Sequence, residues 1–441
     1  MLKSATRTDK PAVRRRAYRL LGLTLILLAL ALALAAGASA FRSAGDGWSA
    51  QSTPSRNDNL IAVSFSDASH GWAVGQVDNA GNNTGVILAT TDGGAHWGAQ
   101  SLPSGTGGLE GVSFVGTSDG WAVGNSDILA TSDGGATWSP QSLPAGIDSL
   151  TASLSAVTFT DANYGWAVGS EQDGAIILAT TDGGAHWSAQ SPPAGLSELN
   201  DVSFGDASHG WAVGWSDSGA SILSTTNGGA TWSLQSVPSG LDSLWSVCAV
   251  DENHCWVGGT LTILATTNGG ATWNEQRSYF ASLQEQGIHF VDASHGWAVG
   301  TDGILATTNG GATWKPQSPP SGIGVLHDVT SVDAAHAWAV GQYGKILVTA
   351  NGGFLPKPTI TKLSPTSGKR GATVTISGTS FGAARGAGSV KFGSKACTVF
   401  VSWGDAQIKC KVPTTAKYGA VKVTVTTGAG KSGALSFTVK R

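Results

Sequence analysis

A five-residue phrase, Gly-Trp-Ala-Val-Gly, recurs along the middle of the chain and limits its fold more than any other feature. It stands at Gly71–Gly75, Gly120–Gly124, Gly165–Gly169, Gly210–Gly214 and Gly296–Gly300, with degenerate copies at Cys255–Gly259 and Ala337–Gly341. The seven tryptophans, at 72, 121, 166, 211, 256, 297 and 338, are spaced by 49, 45, 45, 45, 41 and 41 residues. A unit of this length cannot bury its own apolar face, so it must stack on copies of itself. A second phrase follows each: Thr90–Trp97 reads T-T-D-G-G-A-H-W, with relatives ending at Trp138, Trp187, Trp232, Trp273 and Trp314. The seventh copy, Thr349–Gly353, stops without its tryptophan. The missing piece stands at the other end, where Gly47-Trp48-Ser49-Ala50-Gln51-Ser52 matches His186-Trp187-Ser188-Ala189-Gln190-Ser191. The stretch at Trp48 is therefore expected to pair with the stretch at Asn351, which closes a ring and removes exposed sheet edges.

Each repeat reads as four short strands. In the fourth, these are Leu199–Phe204, Trp211–Gly214, Ser221–Thr226 and Thr231–Ser236, with Asn227-Gly228-Gly229 as a turn. The expected class is all-β: a seven-bladed propeller. Composition agrees, since 62 glycines, 17 tryptophans and only 12% charged residues argue against long helices. Fourteen of the tryptophans hold repeat positions, so they are read as wedges between blades rather than ligand platforms.

Charge divides the chain into three. Residues 1–40 hold 7 basic and 1 acidic groups, 41–354 hold 5 and 27, and 355–441 hold 14 and 1. The expected domains are a signal peptide or anchor at 1–40, the propeller at 45–354, a linker at 355–357 and a second β domain at 358–441. A body of net −22 excludes nucleic acid as its partner. Arg14, Arg15, Arg16 and Arg19 precede the uncharged run Leu20–Ala36, and Gly37-Ala38-Ser39-Ala40 offers a cut before Phe41. That is a secretory layout. Leu20–Ala36 could also be retained as a membrane anchor. Either way the protein is expected to be secreted or at the cell surface, as a monomer.

Four cysteines suit an oxidising compartment, and their spacing suggests local bridges, Cys248–Cys255 and Cys397–Cys410. No metal site or cofactor is expected. After Pro356-Lys357-Pro358, alternating strands at Val374–Gly378, Val390–Gly393, Val401–Trp403, Ile408–Val412, Val421–Thr426 and Phe437–Val439 describe a small immunoglobulin-like sandwich.

The D/N-G-G-x-T/H-W phrase resembles the Asp-box, or bacterial neuraminidase repeat. Combined with G-W-A-V-G over residues 45–354, it is similar to photosystem II stability/assembly factor-like propellers. This resemblance implies a folding role for the box, and either help in building a membrane complex or a secreted binding role. Residues 358–440 resemble the IPT/TIG domain, which implies a spacer or binding module.

Aspartates 67, 161, 206, 251, 292 and 333, and His70, His209, His254, His295 and His336, each repeat with the blades, as do His96 and His186 in the box; they are read as structural. Residues that break the repeat are the candidates. Position one of the inner strand runs Ile61, Glu110, Ser155, Asn200, Trp245, Gln286 and His327, and neighbouring loops add Trp215, Tyr279, Phe280 and Tyr343. Of these, Trp215, Trp245, Glu110, Asn200, Gln286, His327, Tyr279 and Tyr343 form the expected binding patch at the ring mouth. Aromatics with amides suit a protein or glycan of the cell envelope. The leading expectation is a non-enzymatic binding scaffold. An assembly factor for a membrane complex is the first alternative. A polysaccharide hydrolase is the second, using Glu110 with Glu171 or Asp217.

Overall fold

The computed structural model describes residues 47–441 except 55–57, 80–81, 173, 277–286, 302, 318, 354–356, 383–384, 386–387 and 428–429. The expected signal peptide or anchor, with Leu20–Ala36 and Ala40, therefore lies outside the described residues. All regular structure found is β.

Seven four-stranded antiparallel sheets follow one another. Blade 1 comprises Asp58–Phe65, Gly71–Asn79, Asn82–Thr90 and Gly98–Ala99. Blade 4 comprises Leu196–Phe204, Gly210–Ser216, Gly219–Thr225 and Ser233–Leu234. Its outer strand is shorter than the sequence suggests, because the box turn runs on to Trp232. Its inner strand starts earlier, extended by register shifts between Leu196 and Glu198 and between Leu199 and Asp201. Blade 7 has three strands of its own, Leu326–Ser331, His336–Gly341 and Lys345–Ala350. Its fourth is Trp48–Ala50, which pairs antiparallel with the last of these, Trp48 opposite Thr349.

The core of the ring is distributed over seven interblade seams, each a separate apolar cluster. The phrase Gly-Trp-Ala-Val-Gly explains how a seam is built. In blade 2 the inner strand, Gly111–Val115, carries Phe114, whose ring stacks on Trp72 of blade 1 with centroids 3.5 Å apart and an interplanar angle of 4°. Trp138 meets the same ring edge-on at 5.9 Å. Phe114 lies over Gly120 of its own blade, where a Cβ would overlap the ring. The glycine is thus the space that the phenyl ring occupies. Five seams repeat this sandwich. The exceptions change both residues together: blade 5 has Ala249 and Cys255, blade 7 has Ser331 and Ala337, in place of Phe and Gly. Each aromatic pair adds about 0.5–1.5 kcal/mol beyond the area it buries.

A polar relay accompanies the aromatic one. Three residues after each box tryptophan stands a glutamine. Gln100 of blade 1 donates its amide to the Gly134 carbonyl of blade 2 (3.0 Å) and accepts from Trp138 Nε1 (2.9 Å). Trp72 Nε1 donates to the same carbonyl (2.9 Å). Gln51, Gln141, Gln190 and Gln276 make the same pair of bonds at their seams.

The C-terminal domain is a two-sheet sandwich. One sheet orders Thr359–Ser364, Thr373–Thr379, Gln407–Lys411 and Phe400–Gly404. The other is built on Gly419–Thr427, flanked by Leu435–Lys440 and Ser389–Phe392. Val374, Ile376, Phe392, Ile408, Val423 and Phe437 fill the space between. Phe381 is a buried plug beside them.

Candidate functional site

The antiparallel blades give the ring two unlike ends. The starts of the inner strands share one end with the hairpins between second and third strands. The opposite end carries the box turns and the Asp-x-x-His turns.

The second end is structural. Asp67 Oδ1 accepts the Ser69 and His70 amides at 2.7 and 2.8 Å, and His70 Nδ1 lies 2.9 Å from Oδ2. Asp206–His209, Asp251–His254, Asp292–His295 and Asp333–His336 repeat the clamp. In the box, Asp92 Oδ1 accepts the His96 amide at 2.9 Å and its Oδ2 meets His96 Nδ1 at 2.6 Å. The His96 side chain, then its amide, hold the Asp92 carboxyl down at about 2, and His186 does the same for Asp182. These carboxylates tie turns.

The first end gathers most of the residues that break the repeat. Ile61, Ser155, Asn200, Trp245 and His327 are each the residue skipped in the register between first and second strands, a β-bulge at the mouth. Two of these side chains reach the next blade, and a third bonds within its own. Asn200 Nδ2 donates to the Leu244 carbonyl of blade 5 (2.6 Å), Trp245 Nε1 donates to Thr260 Oγ1 (3.1 Å), and His327 Nε2 lies 3.1 Å from Asn59 Oδ1 of blade 1. Trp215 sits on the second strand of blade 4 between Glu198 and Ala220, half-buried. Glu110 precedes the inner strand of blade 2 and is half-buried. Glu171 Oε1 accepts the Asp148 amide at 2.6 Å, so it caps a loop, and Asp217 is exposed in a hairpin. Tyr279, Phe280 and Gln286 lie outside the described residues.

Three large apolar side chains stand exposed on this end: Leu150 (91%), Leu261 and Tyr343 (67%). Leu261 and Tyr343 both hold φ of +60°, as Asn125 does at +48° in the matching hairpin of blade 2. Left-handed backbone is cheap for glycine or asparagine and costly for a leucine or tyrosine. The exposed acids Asp148, Asp217 and Asp242 stand on the same end. Among the described residues of the ring, the only lysines or arginines are Lys315 and Lys345.

The axial channel, about 240 Å³, was not anticipated. Asp201 Oδ1 accepts its own neighbour Val202 N–H and Oδ2 reaches Val247 N–H of blade 5, at 2.8 Å each. Asp328 does likewise with Val329 (2.7 Å) and with Val63 of blade 1 (2.9 Å). Burial pushes Asp201 up to about 6 and Asp328 to about 7, the latter raised further by the charge of Asp201. Burial holds His289 down at about 4. The available signal was an acid at a position that is Ala62, Gly111, Ala156, Ser246 and Gly287 in the other blades.

The expected bridge Cys248–Cys255 is not formed. Cys248 faces Trp256 across the strand pair and Cys255 faces Ala249, so adjacent register positions send the two side chains to opposite sides of the blade. Cys248 Sγ accepts the Phe290 amide on the blade 6 side (3.2 Å), while Cys255 packs with Trp211 on the blade 4 side. Burial raises both thiols, Cys248 to about 12. Cys397 and Cys410 are also free thiols, but they touch. The hydrogen bond with Cys410 brings Cys397 down to about 7 and pushes Cys410 up.

Fold and site together define a closed Asp-box propeller followed by an immunoglobulin-like module. The chain belongs to the family described as photosynthesis system II assembly factor YCF48, whose model matches residues 42–143, 105–198 and 194–281. The IPT/TIG domain model matches residues 358–439. A solved structure described as YCF48 bound to D1 peptide is similar to this chain at 21% identity and a TM-score of 0.56, covering 71% of this chain and 99% of that one. YCF48 from Cyanidioschyzon merolae follows at 20% identity and 0.54, covering 69% and 98%. The GH74 xyloglucanase from Xanthomonas campestris is similar at 13% and 0.52, covering 89% and 74%. At these identities the structures carry the fold alone. A 79-residue stretch, 18% of this chain, is 46% identical to cyclomaltodextrin glucanotransferase of Paenibacillus macerans; it spans 11% of that enzyme's length.

Proposed function

We propose that the protein is a non-catalytic binding propeller of the assembly-factor kind, exported or held at the cell surface, whose mouth takes a polypeptide segment with basic and apolar side chains. One observation carries this reading. Leu150, Leu261 and Tyr343 stand exposed on the same end as Asp148, Asp217 and Asp242, and two of them are held in costly left-handed turns. Apolar anchors in an acidic surround suit a cationic, partly apolar chain. The peptide-bound state of one solved relative of this family supports a polypeptide ligand. A non-catalytic role is supported by the commitments of the acids: Asp201 and Asp328 each hold two backbone amides, and Glu171 caps a loop. The N-terminal arginines and apolar run support export.

The test is an array of fluorescent 15-residue peptides, varied in Lys/Arg and Leu/Phe content, titrated onto the purified chain. Basic-apolar peptides should bind and acidic ones should not. The triple variant Leu150→Ser/Leu261→Ser/Tyr343→Ser should lose at least tenfold in affinity, since these residues are exposed and cost the fold little. Unchanged affinity in that variant would remove the mouth as the site.

A further inference from the structure

Charge is gathered unevenly in this chain. It is net −3 overall, yet residues 355–441 hold 14 basic groups and one acid. That acid, Asp405, is already committed. Its Oδ1 accepts the Gly382 amide (2.9 Å), and it stands in the hairpin between Phe400–Gly404 and Gln407–Lys411. The other sheet of the sandwich therefore carries no carboxylate side chain, and strand alternation decides which basic groups its outer face presents.

Alternation divides that sheet in two. Val390, Phe392, Val423, Val425, Phe437 and Val439 turn inward to the core. Lys391, Lys422, Ser436, Thr438 and Lys440 alternate with them and are exposed. Lys369, on the strand Ser367–Lys369 that pairs parallel with Leu435–Lys440, stands opposite Lys440. Lys422 stands opposite Ser436 and donates to its Oγ at 3.1 Å, and Lys391 stands opposite Thr424. The register thus sets four lysines across four adjacent strands. A strand rises about 3.4 Å per residue and its neighbour lies about 4.8 Å away, so Lys440 to Lys422 spans about 14 Å and Lys422 to Lys391 about 8 Å. The four form one diagonal file, with the hydroxyls of Thr438 and Ser436 along it. The opposite sheet has no such file, since Lys409 and Lys411 share one strand and Lys362 lies two strands away.

One exposed lysine pairing with one free anion gains little. A file of lysines gains when a partner carries anions repeatedly on one backbone and engages several at once. Hydroxyls both donate and accept, so the same partner is favoured if it brings hydroxyls of its own. A single file also matches a chain rather than a plane. We infer that this face of the C-terminal module is a docking track for a linear anionic polysaccharide. Segregation of charge makes this workable, because a net-negative protein repels a polyanion unless its basic groups are gathered apart. The track lies in the second domain and does not rest on the peptide reading of the mouth.

The experiment titrates the full chain with polygalacturonate by calorimetry at low ionic strength, with dextran, poly-L-glutamate and phosphatidylglycerol vesicles alongside. Polygalacturonate should bind, dextran should not, and the affinity should fall steeply as sodium chloride is raised. Polyglutamate, with carboxylates but no hydroxyls, should bind more weakly. The triple variant Lys369→Gln/Lys391→Gln/Lys422→Gln should lose at least tenfold. Lys362→Gln/Lys409→Gln/Lys411→Gln removes the same charge from the opposite sheet and should stay within about twofold of the parent. Near-UV circular dichroism checks that both are folded, and the mouth variant should bind the polymer unchanged. Equal losses in the two triples would mean diffuse charge and overturn the track. No binding of polygalacturonate, or equal or tighter binding of polyglutamate or of the vesicles, would overturn the polysaccharide.

Discussion

Replacing Gln100 with leucine removes one residue of the relay while keeping its bulk. Trp138 Nε1 loses its acceptor in a site only 6% exposed, and the Gly134 carbonyl loses one of its two donors, keeping Trp72. An orphaned buried donor costs about 1–3 kcal/mol, and the lost bond to a carbonyl that remains partnered about 0.5–1 kcal/mol. The sum is roughly 1.5–4 kcal/mol, or a fall in melting temperature of roughly 2–6 °C for a domain this size. Gln235→Leu supplies the control. There the amide already bonds to Ser224 and Trp273 already lacks its partner, so only one ordinary bond is lost, about 0.5–1 kcal/mol. Scanning calorimetry of both variants at pH 7 reads the difference directly. Equal losses would mean that the relay does not hold the seams, and that the aromatic stacks alone do so.

Phe114→Ala should cost more, about 3–5 kcal/mol, because it empties the slot between Trp72 and Trp138 and leaves Gly120 uncovered; urea melts followed by fluorescence check it. The channel acids set a pH dependence of unusual sign. Their folded pKa values lie above the unfolded value near 4, so the native state holds the protons more tightly and stability falls as pH rises from about 4 through about 7. Asp328→Asn should flatten that slope by an amount on the order of 4 kcal/mol, measured by denaturation across the range; an unchanged slope would place the proton elsewhere. The box acids act oppositely. With Asp92 and Asp182 held at about 2, their contribution is present above pH 4 and lost as pH falls through 2, so Asp92→Asn should blunt acid unfolding. Under glutathione disulfide, peptide mapping should find a bond between Cys397 and Cys410, each giving up its proton and the glutathione disulfide taking the two electrons. Cys248 and Cys255 should remain thiols.

The tryptophan ladder was readable because each copy does the same task at the same spacing. Trp72 and Trp97 announce a seam by their periodicity alone. The glutamines of the relay were equally periodic, Gln51 to Gln317, yet a polar residue on an outer strand looks like ordinary surface until its partner blade is in place. Asp201 and Asp328 were hidden for another reason. Position one of the inner strand seemed the place to find exceptions, but a bulge puts Asn200 and His327 into contacts between blades and sends the next residue into the channel. The cysteine pair shows the same limit. Sequence proximity placed Cys248 near Cys255, while strand alternation decides which side of the sheet each thiol faces.

The ring's latch has a mechanical consequence. The chain leaves the propeller just after Lys345–Ala350, and that strand is gripped on both flanks, by His336–Gly341 and by Trp48–Ala50. Tension on the trailing module would therefore load a strand clamped from two sides, so its hydrogen bonds share the load before any can part. Cutting the leading strand away would turn that shared grip into a single zipper, and the same tug would peel the final blade open.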